Sequence, residues 1–498
     1  MNKSAVIFLA LGCSLSHSQT PPVSKYIKVD NFGYMPSHKK FAILADPIAG
    51  FNSTEWYAAA TGFQEYQLRR KSDNAGVWWG TVAQWKGGMT HAASGDAGWQ
   101  LDFSSFVTPG TYYIYDAVHN VRSEYFDIKA DVYQAALTQA TRALYYQRLG
   151  IAHAAPYATA PWTDLPAYLG SNQDVGARNI LTPTLASSAR DLRGGWMDAG
   201  DTNKYTTFVA DVIVQLLSAY TKNPAAFTDS TGIPESGNGV PDILDEIKWE
   251  LDFLIRMQDP STGGMLLKVG HNSYVGDVTP LSTDARPRYY VGECTSSTIA
   301  GALIFSAAAR VFSKIPFYGT YHQDLADRAK WAWARVNWQT SGFSAGFQEN
   351  CDNTTVKAGD ADLSADEQRG LAVAASVYLY DNAYRLGDFT NASAYKSFFE
   401  TNYTNALPLK NDWWGAMWIE QQIALLDYTK LPSTTSGVPV NSAVVASILA
   451  SKQNMDWVMS IQDYVDATDL YKAHIIDDLY IWSHNKWRAN MAIANMKP

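Results

Sequence analysis

The hydrophobic period of this chain changes once, near residue 131. Before that point apolar and β-branched residues fall in short runs bounded by Gly, Pro, Asn and Asp; after it they recur at helical spacing. The runs at residues 26–32, 40–46, 111–118 and 123–128 read as strands, with His119-Asn120 as a hairpin turn between the last two. Strands this close together over residues 25–130 fit a small β-sandwich.

Past the break, Asp131 can cap a helix that stops at Gly150. Residues 153–193, rich in Pro, Ala and Thr, are too long for an idle loop in a compact protein. The clearest helix spans residues 241–257, with Pro241 in its first turn and Ile243, Ile247, Leu251 and Leu254 on one stripe. Ten helices are expected, starting near Asp131, Thr202, Pro241, Thr295, His322, Asp366, Asn391, Gly415, Asn441 and Asp478, joined by loops rather than strands. So many helices pack naturally as a toroid of pairs. The expected fold is multidomain: a sandwich over residues 19–130, then an all-α toroid over residues 131–498.

Residues 1–18 read as a signal peptide, with Lys3 before the apolar stretch and Ser16-His17-Ser18 as a cleavage site. The expectation is a secreted or periplasmic protein. Ala10-Leu11-Gly12-Cys13 offers the alternative of an outer-surface lipoprotein anchored through Cys13. No later stretch gives 18 uninterrupted apolar residues, so no membrane span is expected. Removing the leader leaves Cys294 and Cys351, which an oxidising compartment could pair, although sequence alone does not establish it.

Composition narrows the partners. Hydrophobic residues make up 47% and charged residues only 17%, which rules out wholesale disorder. With 39 basic and 48 acidic residues, no basic surplus exists to neutralise phosphates, so nucleic acid is not an expected partner. The 17 Trp and 29 Tyr serve cores, and also suit stacking on flat or sugar-like ligands. A monomer is expected.

Chemistry concentrates at residues 194–205, Gly-Gly-Trp-Met-Asp-Ala-Gly-Asp-Thr-Asn-Lys-Tyr. Asp198 and Asp201 flank Gly200, where the backbone can turn and bring both carboxylates to one point. Such a pair could hold a metal, or hold and deprotonate a water. Equally, Asp201 could merely cap a helix starting at Thr202.

This segment resembles the signature of glycoside hydrolase family 9, the inverting β-glucanases typified by endo-1,4-β-glucanase (cellulase). Val29-Asp30-Asn31-Phe32-Gly33-Tyr34-Met35-Pro36 is similar to the immunoglobulin-like domain preceding many bacterial members. Tyr145-Tyr146-Gln147-Arg148 and Pro241-Asp242-Ile243-Leu244-Asp245-Glu246 resemble two further family segments, in the family's order. The resemblance implies an immunoglobulin-like sandwich followed by an (α/α)6 barrel, a β-glucan substrate, Asp201 as general base and Asp198 helping to hold the water. Tyr205 and Trp482 match positions at or near the family's cleft, as substrate-binding residues.

The resemblance also implies a general acid Glu near the C-terminus, in an Asn-Glu pair after a His-His-Arg segment. Neither motif occurs in the 498 residues. The family's barrel has twelve helices against the ten expected, so the chain reads as short by about two helices and as inactive or nearly so in this form. Glu420, Asp477 and Asp478 are internal carboxyls that could stand in. Two further readings remain: an exo-acting enzyme on cello-oligosaccharides or amino sugars, and a non-catalytic glucan-binding protein.

A second acidic cluster holds Asp360, Asp362, Asp366 and Glu367. By itself it suits either Ca²⁺ or the solvated start of a helix. The family's structural calcium pattern implies ligands at Asp362, Asp366 and Glu367, closed by Asp412. Leu363 departs from the family's Gly. Trp413 and Trp414 read as core, and His271 takes no assignment.

Overall fold

The computed structural model describes residues 20–59, 65–274, 278–344, 346–349, 351, 358, 361–431, 438–456, 469–472, 481 and 484–495. The chain divides into two compact units. One is Met1–Gln134 with Asp469–Ala473, the other Ala135–Thr468 with His474–Pro498.

The first unit is built of β1 (Ile27–Lys28), β2 (Phe41–Pro47), β3 (Tyr66–Arg70), β4 (Gly76–Gly80), β5 (Ala83–Gln84), β6 (Asp96–Asp102), β7 (Gly110–Asp116), β8 (Val121–Arg122) and β9 (Phe126–Ile128). They form two antiparallel sheets, β1-β2-β6-β5 and β4-β3-β7-β8, with β9 also on β7. Alternation does the sorting. Ala42 and Leu44 of β2 join Leu68, Leu101, Ile114 and Ile128 in a core fed by both sheets. Ile43, pointing the other way, packs with Trp85 and Leu470.

Strands β3 to β6 are absent from the sequence expectation. β6 reads Asp-Ala-Gly-Trp-Gln-Leu-Asp, with few β-branched residues, yet it pairs with β2 along its full length. Its Gly98 faces the Leu44 carbonyl and the Leu470 side chain so closely that a Cβ would collide with both. Tertiary packing outweighs propensity here. Residues 469–473 were expected in the helical domain and instead belong to the sandwich, where the Gln100 amide donates to the Leu470 carbonyl at 2.9 Å.

The second unit carries α1 (Gln134–Gln147), α2 (Val209–Lys222), α3 (Asp242–Met257), α4 (Thr295–Phe312), α5 (Tyr321–Gln339), α6 (Ala365–Arg385), α7 (Phe389–Asn402), the single turn α8 (Leu407–Lys410), α9 (Ile419–Tyr428), α10 (Ser442–Asp456) and α11 (His484–Asn495). Helices α2, α4, α6 and α9 each touch the next, and α9 returns to α2, closing a ring. Helix α4 is apolar and long enough to cross a membrane by length and composition, but it is 94% buried inside this unit. α6 begins with a reciprocal cap between Ser364 and Glu367.

The second unit is not purely helical. β10 (Arg178–Asn179), β11 (Lys204–Tyr205), β12 (Lys268–Gly270) and β13 (Tyr289–Tyr290) form a small sheet in the order β10-β13-β12-β11. It arises where long loops between helices meet, and it corrects the expectation of loops alone.

Candidate active site

The helix expected to start at Thr202 starts at Val209 instead. Lys204 and Tyr205 form strand β11, paired with Val269 and Lys268 of β12. Asp201 is therefore not a helix cap. The Asp198 N–H donates to the Asn203 carbonyl at 2.9 Å, and the Thr202 N–H to the Ala199 carbonyl at 3.0 Å. These two bonds close a tight loop that displays both carboxylates. The sharp turn lies at Thr202, with φ of 57°, not at Gly200, whose place would admit a Cβ without contact.

The loop rests on buried charge. The Lys204 ammonium donates to Asp174 at 2.7 Å and to the Leu192 and Gly194 carbonyls at 2.8 and 2.7 Å. Arg288, fully buried, reaches Asp174 at 2.6 Å and the Thr202 carbonyl at 2.8 Å. Upstream, the Trp196 N–H donates to Glu250 at 2.6 Å. Burial pushes the Glu250 carboxyl up to about 8, against the pull of the Trp196 N–H and Lys204. Gly195, at φ of 75°, packs against Phe253 with no room for a side chain.

Asp201 is held by three donors. The Asn203 N–H reaches Oδ1 at 3.2 Å, the Asn203 side-chain amide reaches Oδ2 at 2.7 Å, and the Tyr205 hydroxyl reaches Oδ2 at 3.4 Å. A carboxylate oxygen offers about two acceptor positions. Oδ2 is thus filled, while Oδ1 keeps a lone pair for a further donor. The Asn203 side-chain oxygen Oδ1 is itself fixed by the His271 backbone N–H at 2.9 Å, and Gly270 is needed because a Cβ there would strike that same oxygen. Burial and the Asp201 charge raise the Tyr205 phenol, so it stays a donor.

Asp198 is exposed at the rim. Local desolvation of its carboxyl, then the Asp201 charge, raises its pKa, and Lys486 of α11 opposes them. Lys486 pairs with Asp211 of α2 at 2.7 Å. Glu420, at the start of α9, is 7% exposed and accepts from the Gln421 amide at 3.0 Å. Burial and the Asp211 charge push it up to about 7, with Lys486 again opposing. One ammonium thus acts on Asp198, Asp211 and Glu420.

Tyr205 does not fit the stacking role expected of it. Its ring is 3% exposed and packs on Phe208, leaving no open face for a sugar. Its hydroxyl serves Asp201 instead. Trp482, Asp360, Asp477 and Asp478 lie outside the described residues, as do residues 1–18. Trp414 is core, bonded through its indole N–H to Ser451 at 3.0 Å.

The calcium ligands are not brought together. Asp366 spends its oxygens on Lys410 at 2.6 Å and Arg369 at 3.0 Å. Glu367 spends its Oε2 on the Ser364 N–H and hydroxyl. Asp412 is exposed, in a left-handed turn. Only the buried Asp362 Oδ1, without a partner among the described residues, would welcome a cation. No group of three or more His, Cys, Asp or Glu among the described residues could hold a metal ion. Calcium does not fit the donor set as folded, because Lys410 and Arg369 already supply the positive charge.

Asn203, His271, Gly270 and Lys486 are the site residues that sequence reasoning missed. Asn203 occupies a free position of the signature, and the others act only through the β11–β12 pairing and the approach of α11.

Comparison with known proteins gives the family. The profile of glycosyl hydrolase family 9 matches residues 133–497, and that of the cellulase N-terminal ig-like domain matches residues 23–118. The chain belongs to glycosyl hydrolase family 9. It is similar to a cellulose 1,4-beta-cellobiosidase of Acetivibrio thermocellus, 29% identical over 62% of this chain and 35% of that protein. It is also similar to endoglucanase D of the same organism, 27% identical over 73% of this chain and 54% of that one. A solved metagenome-derived glycoside hydrolase family 9 endoglucanase superposes with a TM-score of 0.75 at 26% identity, over 94% of this chain and 78% of that one. The chain spans between about a third and about half the length of these curated relatives.

Proposed function

We propose that this chain is an inverting glycoside hydrolase acting on β-1,4-glucan, with Asp201 as general base and Asp198 as its assistant in holding the water. The observation that carries the reading is the Asp198–Asn203 loop, which displays two carboxylates and leaves Oδ1 of Asp201 with acceptor capacity. Oδ1 takes a proton from water as that water attacks the anomeric carbon. The glycosidic bond breaks, and the departing oxygen takes a proton from an acid about 6.5–9.5 Å from the base. The family's Asn-Glu and His-His-Arg segments do not occur in the sequence, so the acid half has no assigned side chain.

The test separates the two halves. In β-cellobiosyl fluoride the leaving group departs as fluoride ion and needs no proton. Asp201 alone should then suffice, giving α-cellobiose, and Asp201→Ala should cut fluoride release by at least about 100-fold. Fluoride release indifferent to Asp201→Ala would overturn the reading.

The likeness to a cellobiosidase supports chain-end action as a second reading. Endo cleavage lowers viscosity early and exo cleavage does not. Export through residues 1–18, or anchoring through Cys13, belongs to the same proposal, as does a monomeric state; N-terminal sequencing of the mature protein and its solution mass test them.

A further inference from the structure

Helix α5 carries two tryptophans on its outer face, Trp331 and Trp338, exposed to 49% and 72%. Seven residues apart, they lie on one side of the helix, and both line a groove of about 490 Å³ together with Arg335 and the loop of Ser261 and Thr262. Apolar rings gathered in one groove, rather than scattered singly, mark an interaction site. We propose that this groove is a second glucan-binding site, outside the candidate active site, which holds a β-1,4-linked chain by stacking on Trp331 and Trp338.

The spacing favours that ligand. Seven residues of α-helix advance about 10.5 Å, close to the advance of two sugars in an extended β-1,4-glucan. Successive sugars in such a chain turn over, so rings two units apart present the same apolar face to a platform. Two tryptophans at this interval can each take an equivalent sugar.

The surroundings are polar in the way a sugar needs. Arg335 lies over the Trp338 ring at 4.7 Å and is paired with Glu293, which also accepts from the Thr262 hydroxyl. This network braces the guanidinium and the loop beside the rings. Gly263 packs on the Trp331 backbone too closely for a side chain, which fixes the opposite wall. Arg335 lines the groove with its guanidinium paired to Glu293, which sets a fixed donor group beside the rings for sugar hydroxyls. The proposal leans on the glucanase reading only for the choice of polymer.

Affinity electrophoresis of the full chain in gels containing soluble β-glucan tests it. An Asp201→Ala background keeps the polymer intact. Adding Trp331→Ala and Trp338→Ala should weaken retention about ten-fold, while Trp→Tyr changes at both positions should keep most of it. Fluoride release from β-cellobiosyl fluoride by the double Ala variant with Asp201 restored should equal that of the parent. Retention unchanged by the double Ala variant, or a parental dimer that it splits, would overturn the second site. If Asp201→Ala leaves fluoride release intact, the glucanase reading fails instead, and the gel result still stands on its own.

Discussion

Asn203 grips Asp201 twice, with its backbone N–H on one carboxylate oxygen and its side-chain amide on the other. The grip fixes the plane of the base and, with Tyr205, uses up Oδ2. Asn203→Ala removes the side-chain half. The expected result is a drop in kcat of about 10–100-fold with KM little changed, since the loss is in orientation rather than in binding. Fluoride release kinetics check it. Gly270→Ala, which crowds the Asn203 side-chain amide, should move kcat the same way.

Lys486 is the cation that opposes the rise in the Asp198 pKa. Replacing it with Met removes that charge, so Asp198 ionises at higher pH. The acidic limb of the pH–rate profile should move upward. A limb that stays in place, or moves down, would detach Lys486 from the site.

Glu420 has a folded pKa of about 7, above the ordinary value of 4.5. Its contribution to stability is complete below pH 4.5 and is lost as pH rises to 7, because the unfolded chain ionises first. Glu420→Gln mimics the protonated form. It should leave stability unchanged near pH 4.5 and raise it at pH 8 by an amount on the order of 2 kcal/mol. Denaturant melts at the two pH values measure this. Fluoride release should not change.

Lys410 and Arg369 occupy the oxygens of Asp366 that calcium would need. A chelator should therefore leave Tm within about 1 °C, as expected where no ligand stabilises the native state. A fall of several degrees would mean that the orphan Asp362 Oδ1 meets a cation after all.

The two-unit plan was legible because the hydrophobic period changes at residue 131, and the carboxylate pair because a dense motif holds it. Other features were hidden for physical reasons. β6 forms against β2 by packing, with little propensity of its own. The start of α2 was misplaced by seven residues because Thr202 takes a left-handed turn and Lys204–Tyr205 find strand partners more than sixty residues away. Tyr205 looked like a stacking ring by position alone, and only burial shows that its hydroxyl matters. The acidic run at 362–367 gives no sign of Lys410, which becomes a neighbour only when α8 folds beside it.

Residues 469–473 belong with the sandwich, although more than three hundred residues of helical unit precede them in the chain. At a synthesis rate of about 5–20 residues per second, the N-terminal strands leave the ribosome tens of seconds before Leu470 arrives to cover Ile43 and Trp85. The first unit to emerge is thus among the last to be finished, and for that interval it carries an uncovered greasy patch that a chaperone would recognise.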